Sequence, residues 1–182
     1  NRPLAQYPRN IVLAAEKYLK DSGIADTMLI LPEFEFYLFD RVGWEVKPES
    51  IGFSVDASQA HWNSAVEGSG NIVAKQKNYH IAKPFDVSYE ARSEMCLLME
   101  EAGIPLNYHH PEVGAGGQFE IEPHLGKMSE MADATMQIKY IIHNTARKYG
   151  LSAKFPSFES VGDGVLDVPP FPQQPAGKVE AV

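Results

Sequence analysis

The chain has 182 residues, 44% hydrophobic and 22% charged, which suffices for one globular domain with a real core and excludes a disordered segment. A net charge of −8 and the lack of a basic recognition helix exclude nucleic acid as the main partner, although an acidic protein still binds phosphates when metal ions mediate. Cys96 is the single cysteine, so no internal disulfide forms, which fits a reducing cytoplasm, and no apolar run approaches the ~18–20 residues of a membrane span. The N-terminal "NRPLAQYPRN" lacks a signal-peptide core and an initiator Met, so the start reads as cut from something longer.

Residues 8–22 carry apolar side chains at helical spacing (Ile11, Ala14 or Ala15, Tyr18, Leu19) and stop at Gly23. A strand is predicted over 28–39, and 41–48 is a candidate hairpin partner for it. Residues 49–85 read as irregular, with "EGSGN" (67–71) a loop. A second helix is predicted over 86–102, with Asp86 as N-cap, Gly103 as stop, and Val87, Ala91, Met95, Leu98 and Ala102 as its buried stripe.

Strands are predicted at 105–113 and 118–125, joined by the turn "GAGG" (114–117). A long helix follows over 129–149, buried through Ala134, Ile138, Ile141, Ile142, Thr145 and Tyr149 and stopped by Gly150. "SAKFPSF" begins another strand. Met95, Met99, Met128, Met131 and Met136 read as core packing. Residues 156–182 are rich in proline and glycine and read as an extended tail. Hairpin-like strands with helices on one side give an α+β fold.

The chemistry lies in the carboxylates. Successive strand residues face opposite ways, so Glu33, Glu35 and Tyr37 share one face and Phe34, Phe36 and Leu38 the other. Tyr108, His110 and Glu112 share a face of the next strand, and Gln118, Glu120 and Glu122 a face of the one after. Glutamates at alternate strand positions also suit a solvated sheet face. If these strands lie in one sheet with those faces aligned, Glu33, Glu35, Glu112 and Glu120 converge and repel. A hard cation, Mg²⁺ or Mn²⁺, resolves that conflict, and more than three carboxylates suit two ions and phosphoryl chemistry. Glu122 extends the carboxylate cluster only as the lesser alternative to a solvated or hydrogen-bonded role. His109 and His110 read as structural rather than as a zinc pair. Tyr79 and His80 carry no local signature.

The segments "IADTMLILPEFEFYLFD", "WNSAVEGSGN", "YHIAKPFDVSYEARSEMCLLMEEAGIPLNYHHPEVGAGGQFEIE" and "MADATMQIKYIIHNTARKYG" together resemble the catalytic region of glutamine synthetase. The resemblance runs over about residues 5–155, so residues 1–155 are expected to form part of that catalytic domain, and 156–182 a tail of separate origin. It implies a partial sheet-lined barrel with helices outside, in a cytoplasmic homo-oligomer whose active sites lie between subunits. It implies ATP-dependent joining of ammonia to glutamate through γ-glutamyl phosphate. By this resemblance Glu35, Glu112 and Glu120 hold one divalent metal and Glu33 the second. Tyr79 lies beside the ammonium pocket, and His110 supports the ligands from behind.

Two positions depart from the family pattern. Pro111 stands where relatives often carry a third histidine, and Asn107 stands where many carry a nucleotide-contacting glutamate, which makes Asn107 the candidate ATP contact. After Phe155 the chain reads "PSFESVGDGVLDVPPFPQQP" in place of the family's glutamate-binding loop with its metal-binding histidine. The isolated chain is therefore expected to be inactive. The alternatives are a ligase for another amine, such as a polyamine or aromatic amine, and a non-enzymatic binding or assembly module.

Overall fold

The computed structural model of the protein describes residues 4, 6–64, 71–114 and 116–155. The predicted tail after 155 and most of the "EGSGN" loop lie outside the described residues. Helix α1 (Pro8–Asp21) comes first, with proline at its first turn, where no intrahelical N–H is needed. The predicted strand 28–39 is split into β1 (Leu29–Ile30) and β2 (Phe34–Phe39). Pro32 sits in the break and has no N–H to give to a ladder.

β2 does not pair with the segment that follows it. β3 (Arg41–Lys47) instead forms a separate hairpin with β4 (Ser50–Asp56), inside the region read as irregular. Its register sets Trp44 opposite Phe53 and Val46 opposite Ile51, aromatic and β-branched pairs that stabilise a two-stranded ribbon.

The main sheet has four antiparallel strands in the order β5 (Leu106–Pro111), β6 (Gln118–Pro123), β2 and β8 (Ser152–Lys154). β7 (Gly126–Lys127) pairs separately with β1. The sheet is open: the described strands close no barrel. Helices α2 (Tyr89–Glu101) and α3 (Met128–Lys148) cover one face of it. Phe34, Phe36 and Leu38 of β2 and Phe119 and Ile121 of β6 point into that layer. They meet Met95 and Met99 of α2 and Met131, Ile138 and Ile142 of α3. This is the α+β arrangement that the sequence predicts, with one sheet face left for polar side chains.

Several predicted stripes shift. Ile11 and Tyr18 of α1 are 60% and 66% exposed, because α1 packs only on the outside of α3. Its contact face runs through Arg9, which pairs with Asp133, and Glu16, which accepts the Ser129 N–H at 3.1 Å. In α2 the buried residues are Ala91, Arg92, Met95 and Met99, whereas Val87, Leu98 and Ala102 face solvent. In α3 Met131 and Ala146 join the stripe, while Met136 and Tyr149 are exposed.

Asp86 is not the N-cap of α2, a position held by Ser88. Its carboxylate is committed to Arg92, 1% exposed, through Nη1–Oδ1 at 2.8 Å and Nη2–Oδ2 at 2.5 Å. The guanidinium also lies 4.4 Å from the centre of the Phe119 ring, so a buried charge is neutralised on one side and stacked on the other. Among the described residues no helix is long and apolar enough to cross a membrane.

Candidate active site

The sheet face opposite the helices carries the polar rows. In the central row Glu35 of β2 stands opposite Glu120 of β6, which stands opposite His110 of β5. On one side Tyr37 faces Gln118. On the other Tyr108 faces Glu122, and Glu33 reaches that row from just before β2. Two triplets of potential ligand atoms result, each within 4.8 Å: His110, Glu112 and Glu120, and Glu33, Glu120 and Glu122. Glu120 belongs to both. Glu35 is in neither triplet, since one of its oxygens accepts the Gln118 Nε2–H at 2.9 Å.

The turn that joins β5 to β6 is held tightly. A side chain at Gly116 would place its Cβ 2.7 Å from the Gln59 carbonyl, and Gly117 has φ +99° while its own carbonyl accepts the Leu38 N–H. Asn78, fully buried, donates to the carbonyls of both Glu112 and Gln118 at 2.8 Å and so ties together the two arms of the turn. Gln118 accepts the Gly114 N–H and donates to Glu35. The Glu112 carboxylate accepts the Val113 N–H at 2.8 Å. Asn78, far away in sequence, and Val113, Gly114 and Gln118 of the turn thereby fix where Glu35 and Glu112 point.

His110 is buried, and its Nδ1 lies 2.9 Å from the Pro111 carbonyl. A carbonyl only accepts, so Nδ1–H donates to it, and Nε2 lies 3.5 Å from Glu120. His109 is on the other sheet face, where its Nδ1 accepts from Arg92 at 3.3 Å, so the two histidines do not address one ion together. Asn107 occupies a bulge between Leu106 and Tyr108, and its amide donates to Glu122 at 2.7 Å. The Tyr108 hydroxyl donates to the other Glu122 oxygen at 2.5 Å, which pushes the phenol up to about 12. Tyr79 is 56% exposed, with its ring edge-on to His110 at 5.3 Å. Glu33, Glu35, Tyr79, Asn107, Glu112 and Glu120 therefore lie on or beside this face, and His109 does not.

The electrostatics are those of crowded anions. Burial, then Glu112 and Glu33, hold the Glu35 carboxyl above its usual range, against the Gln118 hydrogen bond. Burial and the neighbouring Glu112, Glu33 and Glu35 push Glu120 up to about 8. Sequence reasoning missed Asn78, which has no local signature because its partners lie 34 and 40 residues away. It also undervalued Glu122, which is 5% exposed and anchors Asn107 and Tyr108. The period-2 alternation of "QFEIE" was the available signal for Glu122.

Residues 5–165 match the family model described as glutamine synthetase, catalytic domain. The chain belongs to that family. A 3-hydroxylaminophenol mutase of Cupriavidus pinatubonensis is 40% identical over 160 residues, 86% of this chain and 34% of the mutase. The glutamine synthetase of Vibrio cholerae is 38% identical over 160 residues, and that of Escherichia coli 36% over 165, covering 34% and 35% of those enzymes. The chain thus spans about a third of the length of these relatives. A cryo-EM structure of Plasmodium falciparum glutamine synthetase superposes with a TM-score of 0.76 at 24% identity, over 86% of this chain and 32% of that one, and so shares the fold.

Proposed function

We propose that this chain supplies the carboxylate wall of a metal-dependent ligase site in which ATP drives the joining of ammonia to the γ-carboxylate of glutamate. The observation that carries this reading is the meeting of Glu33, Glu35, Glu112 and Glu120 on one face of a three-strand span. The donor set fits a hard divalent cation, Mg²⁺ or Mn²⁺: it is mostly carboxylate and contains no thiolate. The crowding that raises Glu35 and Glu120 is relieved when a cation sits between them. Glu35, Glu112 and Glu120 would hold one ion, backed by His110, and Glu33 the second, beside Glu122. When bound, such ions offset phosphate charge and align an in-line transfer.

In this reading an oxygen of the glutamate γ-carboxylate bonds to the terminal phosphorus of ATP and ADP leaves, giving γ-glutamyl phosphate. The nitrogen of ammonia then bonds to the acyl carbon, the carbon–oxygen bond to phosphate breaks, and the nitrogen gives one further proton to the departing phosphate, leaving the amide. Tyr79 and Glu112 border the amine, and Glu112 takes the proton that ammonium must lose before its nitrogen can attack. Asn107, fixed by Glu122, faces the nucleotide. The family's assembly into homo-oligomers, with sites shared between subunits in the cytoplasm, extends the same reading.

Calorimetric titration with Mn²⁺ tests it: the chain binds the ion, and Glu112→Ala weakens binding at least about tenfold. Unchanged affinity would sink the assignment. The kinship with a 3-hydroxylaminophenol mutase supports a second reading, as an isomerase. Phosphate release from ATP that requires both glutamate and ammonium, in the polypeptide extended to its relatives' length, favours the ligase. Rearrangement of 3-hydroxylaminophenol without ATP consumption favours the isomerase.

A further inference from the structure

We propose that the exposed apolar face of the β3–β4 hairpin is a docking surface for the proline-rich segment of this same chain, "VPPFPQQP", residues 168–175. The cross-strand register defines that face. The pairs Val42–Val55, Trp44–Phe53 and Val46–Ile51 share one side of the ribbon, and the charged residues Arg41, Glu45, Lys47 and Asp56 take the other. The innermost apolar pair, Val42 with Val55, packs against the buried cluster around Tyr37 and Phe39. The two outer pairs continue the same face past that cluster. Trp44, Val46 and Ile51 are 59%, 61% and 66% exposed, and Phe53 is 40% exposed. Four large apolar side chains on adjacent rungs make a contiguous patch of the kind that marks an interaction surface.

The chemistry of the face selects the occupant. Proline-rich segments dock on aromatic surfaces as polyproline II helices, with three residues per turn and carbonyls left for donors such as an indole N–H. Pro169, Pro172 and Pro175 recur at that period, so this conformation sets their rings along one edge. At ~3.1 Å per residue that edge is about 19 Å long. It is enough to run the length of the three apolar rungs, which is about 13 Å at ~3.3 Å per residue. The segment also reaches the face. Lys154 stands opposite Tyr37, so the described chain leaves the sheet beside Phe36, whose ring lies 5.8 Å from that of Phe155. Trp44 lies within about 27 Å of Phe36 along β2 and β3, whereas residues 156–168 span up to about 45 Å. A tethered segment avoids the loss of translational freedom that a second copy would suffer on docking, which favours the chain's own prolines.

NMR on the isotope-labelled 182-residue chain tests this. Nuclear Overhauser effects are expected between the Trp44 indole protons and the proline ring protons of residues 169–175, with no loss of relative intensity on dilution. In the triple variant Pro169→Ser, Pro172→Ser, Pro175→Ser those effects vanish and the Trp44 indole signal moves. Trp62 is the internal control: its indole N–H donates to Asp56 at 3.0 Å, so its signal stays in place while the hairpin is folded. Trp44→Ala approaches from the other side and should move the signals of residues 168–175 to the positions they take in the isolated peptide "VLDVPPFPQQP". Absence of the Trp44–proline effects in the unmodified chain overturns the inference. So does a Trp44 signal that is unchanged in the triple variant. Effects that fade on dilution, or that join differently labelled chains in a mixed sample, give the face to a second copy and overturn it as well.

Discussion

Glu35 and Glu120 stand directly opposite one another on adjacent antiparallel strands, on the sheet face turned away from the hydrophobic core. Like charges in that relation destabilise a sheet. The fold therefore keeps an arrangement that costs stability, and Gln118 offsets only part of it by donating to Glu35. Glu35→Gln removes one charge of the pair and retains the shape. Above about pH 8, where Glu120 is ionised, the metal-free chain should gain up to about 1 kcal/mol, a melting shift of roughly 2–4 °C. The same variant should bind Mn²⁺ more weakly. Thermal unfolding and metal titration on one preparation check both. A variant that melts lower without metal would contradict the repulsion argument.

A pH dependence follows from Glu120, whose carboxyl is pushed up to about 8 by burial and its anionic neighbours. Its ordinary value, near 4.3, holds in the unfolded chain. Between those values the folded chain binds the proton that the unfolded chain has released. The stability this group contributes is thus full below about pH 4 and is lost as pH rises through about 8. Metal-free melting temperature should fall from about pH 5 to about pH 8. Saturating Mg²⁺ should flatten that slope, because the ion favours the charged carboxylate. Mn²⁺ affinity should rise over the same range, as metal and proton compete for Glu120. A flat metal-free profile would refute the shift.

Much of this site was legible in the sequence because a strand's period of two is unambiguous. "PEFEF" fixes which side Glu33 and Glu35 take once the phenylalanines face the helices. "QFEIE" does the same for Glu120 and Glu122. What the pattern could not give was partnership. Residues 41–47 pair with 50–56 across the two-residue turn Pro48–Glu49, which lacks the Asn-Gly or Asp-Gly signal of such turns, and nothing tells α1 that it has one helical neighbour rather than a sheet. Ile11 and Tyr18 follow helical spacing as well as Ile138 and Ile142 do, yet only the latter meet a sheet. Asn78 and Gln118 act through contacts set by tertiary folding, which no spacing encodes.

Asp86 illustrates the same limit and gives a sharp stability test. Its position before α2 suits a helix cap, whose loss costs about 1 kcal/mol. In the fold it neutralises Arg92, which is 1% exposed and also donates to His109 at 3.3 Å. Asp86→Ala leaves that guanidinium charged and buried, so the loss should reach roughly 3–5 kcal/mol. Chemical denaturation separates the two magnitudes. A loss near 1 kcal/mol would return Asp86 to a capping role. Replacing both partners, Asp86→Leu with Arg92→Met, should recover most of the stability, since no unpaired charge remains.

Phe36 tests whether the two faces of β2 are as separate as the carboxylate reading requires. Its side chain is fully buried between Phe119, at 6.4 Å, and Phe155, at 5.8 Å, within the layer formed with α2 and α3. Phe36→Ala should cost roughly 3–5 kcal/mol, because neighbouring strands and helices prevent the cavity from collapsing. The carboxylates lie on the other face, so Mn²⁺ affinity should change little at temperatures where the variant remains folded. That combination, a large loss of stability with metal binding kept, is what a two-faced strand predicts. A stability loss well under 1 kcal/mol would refute the core role. A folded variant that loses Mn²⁺ binding as Glu112→Ala does would show that the two faces are not independent.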